Sequence, residues 1–482
     1  MAVDTQHPEY SAALPMWEKC RDAAEGQDAV HAKGARYLPK LSEQTEAEYQ
    51  AFKGRALYYG ATGRTVDGLS GLVFRRPPAV EVPSAVEYLL EDVDTSGTPL
   101  LTFAERVVEE VLQVGRVGLL ADYPPMDGIR TQAEEKAAGG RPYVRIYKAE
   151  AIINWRVERI NNRNQLSLVV LKEAREEDVD GFETKVVPVW RVLRLVGGTY
   201  TVETREKAKA ATGADQDAWV LTSQVSPMMG GKPMNFIPFE ICGPMGLEPG
   251  VAKPPIKDLA DVNVSHYRTT ADYEHGLHFT GLPTPLVYGH EFQATEKFAL
   301  GSTVVKGFAN PDAKAEFLEF KGEGLKQLAA RLVEKEEMMA ALGARMLAGD
   351  KRQVEAAETA AIHRAGENSV LSSLANAVSA LLTRALNYCA MWAGVAPEAR
   401  VALNTDYLPS GMAAQELTAL VGAWQAGAIS HLTLLDNLQR GEIARQGVDA
   451  DKEMADIEAE GPKLGAMGGG GEGFPPAAGG AE

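Results

Sequence analysis

The residues with ligand chemistry gather around one predicted helix. Asp272, His275 and His278, with His266 upstream, carry the carboxylate and imidazole groups that hold a transition metal. Their i, i+3, i+6 spacing drifts about 60° off one helix face, and no matching ligand pair occurs elsewhere. They read as polar residues of a helix, and no metal is expected. Gly230-Gly231-Lys232 has the composition of a phosphate loop, but Ser226 stands at the first glycine position and Pro233 where magnesium needs Ser or Thr. It also precedes a strand instead of joining strand to helix. Gly68-Leu69-Ser70-Gly71 fails as a nucleophile elbow, because its second glycine comes one residue early and its context is helical. No Ser-His-Asp set or carboxylate pair stands out, so no catalytic residue, cofactor or enzyme activity is expected. Lys351 and Arg352, followed by His363 and Arg364, form a basic island beside a break between two long helices. It reads either as a solvated helix junction or as a loop that touches phosphate weakly and without sequence preference.

The totals bound the possibilities. With 482 residues the chain has room for two to four domains, or one elongated subunit with several lobes. No apolar run reaches eighteen residues, so no transmembrane helix is expected. MAVDTQHPEY lacks the basic and apolar regions of a signal peptide. Acids outnumber bases 66 to 49, a net charge of -17, the reverse of a tight nucleic-acid binder. That surplus is either a solubilising surface or an acidic wall past which phosphate slides. Cys20, Cys242 and Cys389 lie far apart with no CxxC, as in a reducing compartment.

Around these residues the predicted elements are few and long. Residues 1 to 40 read as polar and mixed. Glu46 to Phe74 reads as one glycine-interrupted helix stopped by Pro77-Pro78, and Leu100 to Val114 as a second, ended by Gly115. Val117 to Tyr123 is a strand, and Arg141 to Pro244 is strand-rich, with a hairpin turn at Gly197-Gly198. Three long helices follow, over 256–279, 325–347 and 353–392, with a kink expected at Gly366. In the first, Leu259, Asn263, Tyr267, Thr270, Glu274 and Leu277 share a polar stripe, too wet for a core and suited to packing on copies of itself or lining water. In the second, Leu325, Leu328, Leu332, Met339, Leu342 and Met346 form a heptad seam with Lys335 the one gap, expected to pack against neighbouring subunits. Leu282 to Val287 is extended, and 302–305 and 316–320 read as strands. Met412 to Gln425 and His431 to Arg440 are two short helices, the latter capped by Ser430. Residues 465–482 are Gly- and Pro-rich and are expected to be disordered.

Several stretches carry a resemblance: Tyr37 to Leu41, Thr65 to Pro78, Ile152-Ile153-Asn154-Trp155, Asp272 to His278 with Leu282-Pro283-Thr284-Pro285, Glu358-Thr359-Ala360 and Gly427-Ala428-Ile429-Ser430. In this order the chain resembles bacteriophage portal proteins, the head-to-tail connector subunits of tailed phages, over roughly 37–442. The resemblance implies an α+β, mostly helical subunit with wing, long-helix stem, small clip and helical crown. Carried onto this sequence, 1–255 is wing, 256–280 the first stem helix, 281–324 the clip and 325–347 the second stem helix. Residues 348–355 are the tunnel loop, 356–403 the kinked channel helix and wing return, and 404–464 the wing edge and crown. It further implies a homo-oligomeric ring, typically of twelve, at one capsid vertex of the virion, assembled in the host cytoplasm. Its partners would be the large terminase, a head–tail adaptor, capsid and scaffold proteins, and double-stranded DNA passing non-specifically, with no membrane. Lys351 and Arg352 are the tunnel-loop candidates. Two other functions stay open: a tail or baseplate scaffold using the long helices as an interaction stalk, and a soluble enzyme with no recognisable site.

Overall fold

A computed structural model describes residues 2–124, 139–160, 162–178, 180–207, 219–280, 284–289, 310–318, 323–346, 369–407, 414–425 and 428–440. The chain is α+β and divides into two compact units, Met1–Tyr407 and Leu408–Glu482.

Helices dominate the start of the first unit. Pro8–Glu25 (α1) and Gln27–Ala32 (α2) fill a stretch that the sequence shows only as polar and mixed. His7 caps α1, its Nδ1 accepting from the Glu9 N–H, and Pro8 sits in the first turn, where a missing N–H costs nothing. Glu46–Arg55 (α3) opens with a capping box between Thr45 and Glu48, and Ala61–Val73 (α4) follows. The single helix expected over 46–74 is therefore two. Ala56 is extended at the break. The Tyr58 N–H donates to Gln27 Oε1 (3.1 Å) and its hydroxyl to the Ala23 carbonyl (2.8 Å). These tertiary bonds outcompete a helix already weakened by Gly54 and Gly60.

After the short strand β1 (Ala79–Glu81), Leu100–Val114 (α5) buries Phe103, Val107, Val108, Val111 and Leu112. Each contributes about 1.5–3 kcal/mol by burial. Gly115 ends α5 with a left-handed φ of 68°, as its position in the sequence predicts. Val117–Asp122 (β2) is buried along its whole length. Its residues alternate between two cores: Val117, Leu119 and Ala121 join the helical core, while Leu120 joins the core under the larger sheet. Tyr143–Lys148 (β3) pairs with β2.

An antiparallel meander of five strands follows: Ile152–Ile160 (β4), Arg163–Asp178 (β5), Thr184–Val196 (β6), Thr199–Lys207 (β7) and Trp219–Val225 (β8). The β6–β7 turn is the predicted Gly197-Gly198 pair, both with positive φ. Gly230-Gly231, rejected above as a phosphate loop, turns the small hairpin of Met228–Met229 (β9) and Lys232–Pro233 (β10). Phe239–Cys242 (β11) completes a three-stranded sheet in the order β11-β2-β3. A buried pair joins the two sheets: Arg191 on β6 donates to Asp122 on β2 (2.6 Å), which also accepts from the Tyr143 hydroxyl (3.1 Å).

Lys257–Thr280 (α6) comes next, then the hairpin of Thr284–Tyr288 (β12) and Lys314–Leu318 (β13), then Glu323–Arg345 (α7). Val370–Trp392 (α8) runs through the helical core, and Arg400–Ala402 (β14) pairs with β1. Cys20, Cys242 and Cys389 are all buried and free. In the second unit Ala414–Gln425 (α9) and His431–Arg440 (α10) are the two expected short helices. Ser430 Oγ accepts from the Thr433 N–H, the predicted cap.

Candidate functional site

The segment with the most distinctive architecture is α6, the β12–β13 hairpin and α7. Its first helix is not wet. Leu259, Asn263, Tyr267 and Thr270, the first four residues of the expected polar stripe, are buried within the chain. Asn263, 0% exposed, accepts from the Thr62 N–H (3.1 Å) and hydroxyl (2.7 Å) at the start of α4 and donates to the Tyr59 carbonyl (2.7 Å). Tyr267 lies edgewise to Tyr58 and near the His31 ring. The stripe is polar because it ties α6 to the α3–α4 break, whose backbone groups need partners. Packing on copies or lining water is thus corrected for this half of the helix. The large apolar residues of α6 that emerge are at its end, where Phe279 is 60% exposed and Leu277 also reaches solvent.

The heptad seam of α7 is likewise filled from within. Leu325, Leu328, Leu332 and Leu342 are half-buried, and Met339 and Met346 fully so. Within the chain the seam faces α6 and, at its far end, α4, where Gly343 meets Thr65. Gly276 near the end of α6 meets Leu325 at the start of α7, where an added Cβ would lie 2.5 Å from Leu325 Cδ2. Earlier on α6, Ser265 meets Lys335. The helices therefore run antiparallel.

Lys335 is no gap. It is 7% exposed, and its Nζ donates to the Ser265 carbonyl (2.9 Å), the Ser265 hydroxyl (2.9 Å) and the Thr269 hydroxyl (2.6 Å). An ammonium has three protons, and all three are used. Burial pushes its pKa down from the ordinary lysine value. At the next residue of each helix, Nε2 of the buried His266 lies 3.5 Å from Glu336. Burial pushes this imidazole down as well; Glu336 opposes the shift and Lys335 adds to it. The seam thus reads apolar–polar–apolar along its length, which fixes the register of the two helices.

The remaining members of the sequence's metal-like set have other partners. His275 packs edge-on against Phe52 and Phe279 (5.2 and 4.6 Å between ring centres), and Arg55 Nη2 approaches its Nδ1 at 3.4 Å. His278 lies edgewise to Phe279. Among the described residues no three His, Cys, Asp or Glu side chains gather as metal ligands.

Two excursions leave this helix pair, and the described residues fix their ends. At the hairpin, β12 and β13 pair from Thr284–Leu318 to Tyr288–Lys314, and Asn310 Nδ2 donates to the Gly289 carbonyl (2.9 Å). The second strand begins at Lys314, two residues before the expected 316–320, and overlaps it through Leu318; residues 319–320 and the expected strand at 302–305 lie outside the described residues. At the other excursion the Leu371 N–H donates to the Met346 carbonyl (3.2 Å). The chain therefore leaves α7 and enters α8 at one point. Ser369 caps α8, its Oγ accepting from the Ser372 N–H (3.1 Å), with extended dihedrals (φ -74°, ψ 160°). The helix expected over 353–392 is therefore interrupted at Ser369, a favoured cap residue. From Val370 onward it is as expected, with Leu374, Ala377, Leu381, Ala385 and Cys389 buried. Lys351, Arg352 and Gly366 lie outside the described residues.

A family model described as a domain of unknown function (DUF4055) matches residues 255–393, which span α6 to α8. No curated protein matches the chain. Among solved structures it is similar to a chain from the neck of an empty GTA particle computed with C6 symmetry. That match has 14% identity, 84% of this chain, 96% of that chain and a TM-score of 0.39. It is also similar to a chain of the virion of a native gene transfer agent (GTA) particle (16% identity, 85% and 98%, TM-score 0.39). A third is from the neck of a native GTA particle computed with C12 symmetry (15% identity, 82% and 93%, TM-score 0.36). Among the described residues no helix is long and apolar enough to cross a membrane.

Proposed function

We propose that this chain is a portal: the subunit of a ring at one vertex of a tailed-phage capsid, through which double-stranded DNA is packaged and later ejected. The observation that carries this is the order of parts in one stretch: an outgoing helix, a small hairpin, an antiparallel returning helix, a pinned excursion and a long buried helix. That order coincides with the stem, clip, stem, tunnel loop and channel helix that the sequence resemblance implies.

The physics of the helix pair supports this. Because α6 and α7 satisfy their seam internally, each subunit would bring a preformed two-helix strut to the ring. What is left for a neighbour is its outer surface, including Val333 (55% exposed), Met338 (42%) and Phe279. A surplus of acids repeated around a ring repels phosphate, so DNA slides instead of sticking. Lys351 and Arg352 would supply brief contacts. In this role the hairpin end receives the large terminase during packaging and an adaptor afterwards, and the chain performs no catalysis itself. Native mass spectrometry of the purified chain tests the assembly. A closed multiple of the 51.9 kDa subunit, typically twelve, is expected; a monomer at every concentration overturns it.

A further inference from the structure

We propose that the face of the five-stranded sheet beneath the N-terminal segment is an oxyanion site that takes a phosphate group. A cavity of about 240 Å³ lies there, floored by β4, β5, β6 and β7 and roofed by Ala2, Val3 and Thr5. The roof is tied down. Asn154 Nδ2 donates to the Thr5 carbonyl (2.9 Å), the His7 N–H donates to the Ile153 carbonyl (2.8 Å), and the His7 ring stacks on Trp155 (4.0 Å).

Three guanidinium groups line this cavity: Arg156, Arg194 and Arg205. The register puts Arg156 opposite Leu168, and Leu168 opposite Arg194. The two arginines therefore stand on one face, two strands apart, roughly 10 Å between Cα atoms. Only an aliphatic side chain lies between them. Long side chains at that spacing can converge on one anion. Among the described residues neither makes an ion pair or a side-chain hydrogen bond, in a chain where acids outnumber bases. Arg205 is held by Glu203, which accepts from its Nη2 (2.7 Å) and Nε (3.1 Å). Asp4, in the same N-terminal segment but not on the lining, accepts from Trp219 Nε1 (3.3 Å). Glu203 offsets Arg205, which leaves Arg156 and Arg194 as the unpaired positive groups of the lining. A phosphate dianion matches that charge, and its oxygens suit the two-pronged donor of arginine. A single carboxylate would leave one charge uncovered.

The site does not depend on the ring assignment. Calorimetric titration of the full chain with inorganic phosphate, against chloride at equal ionic strength, tests it. Phosphate is expected to bind the native chain, at least tenfold more weakly the R156Q/R194Q double variant, and unchanged the R159Q variant, which alters the same strand outside the cavity. If the double glutamine variant does not fold, R156K/R194K keeps the charge but loses the fork and should bind several-fold more weakly. A short duplex DNA then separates the sources. Displacement of phosphate marks a nucleic-acid backbone as the ligand, and no displacement marks the free anion; either keeps the site. Equal response to phosphate and chloride, or equal phosphate binding by native and R156Q/R194Q chains, overturns it.

Discussion

Asn263 shows how one polar residue joins elements 200 positions apart. Its amide serves the Thr62 N–H and hydroxyl and the Tyr59 carbonyl. Asn263→Ala is expected to cost about 2–3 kcal/mol through the groups left unpaired, measured by urea unfolding; a loss below about 0.5 kcal/mol would contradict that role. The helix period correctly grouped Asn263 with Leu259 and Tyr267 but could not say what the face meets. Lys335 repeats the lesson: spacing marked it as a break in a seam, and only the position of Ser265 and Thr269 shows it to be a pin.

His266 makes a pH dependence. Burial lowers its pKa from the ordinary 6.5. Above 6.5 it is neutral folded or unfolded, so nothing is lost. As pH falls through 6.5 the unfolded chain takes up a proton that the folded chain refuses, and stability declines until the folded-state pKa is reached. His275 is shifted the same way, by burial first and then by Arg55. The thermal midpoint should therefore be lower at pH 5.5 than at pH 7.5, with the difference shrinking in H266Q/H275Q. An equal difference in that variant would exclude these two imidazoles as its source.

At the scale of elements, α4 separates glycines that look alike in sequence. A Cβ on Gly63 would lie 2.4 Å from the Ala24 carbonyl oxygen of α1, whereas Gly68 and Gly71 face open space. Gly63→Ala should destabilise by about 1–3 kcal/mol through backbone displacement. Gly68→Ala should stabilise by up to about 1 kcal/mol through helix propensity. Chemical denaturation of both variants checks the contrast, and a neutral Gly63→Ala would mean that α1 and α4 are not in close apposition.

Elements with unbroken patterns were legible: α5, α6, α7, β2 and the Gly197-Gly198 hairpin lie where periodicity and turn chemistry put them. The misses have local causes. In α1, Tyr10, Ala13, Trp17, Cys20 and Ala23 recur at helical steps and are buried. Pro15 stands inside this helix, where proline is ordinarily disfavoured. The α3–α4 break depends on Gln27 and Ala23, distant partners that no window on 46–74 contains. The strands of the hairpin were placed within a few residues, but the antiparallel pairing that fixes their register is a property of two segments, not of either alone.

For the whole molecule the question is assembly. Much of the polar stripe of α6 and of the seam of α7 is already met within the chain, so the proposed ring would associate largely through outer surfaces that periodicity does not single out. The basic pair at Lys351 and Arg352 belongs at this scale too. If both face the channel, K351A/R352A should reduce DNA packaging or retention while the assembly still forms, measured by nuclease-protected DNA in particles. Normal packaging by that variant would remove their proposed role.

The most direct test of a portal is negative-stain electron microscopy of the purified chain, with inspection of particles that carry it. Closed rings with rotational symmetry and a central stain-filled hole are the expected result. A monomer that stays dispersed at high concentration, with no ring in the particles either, would contradict it.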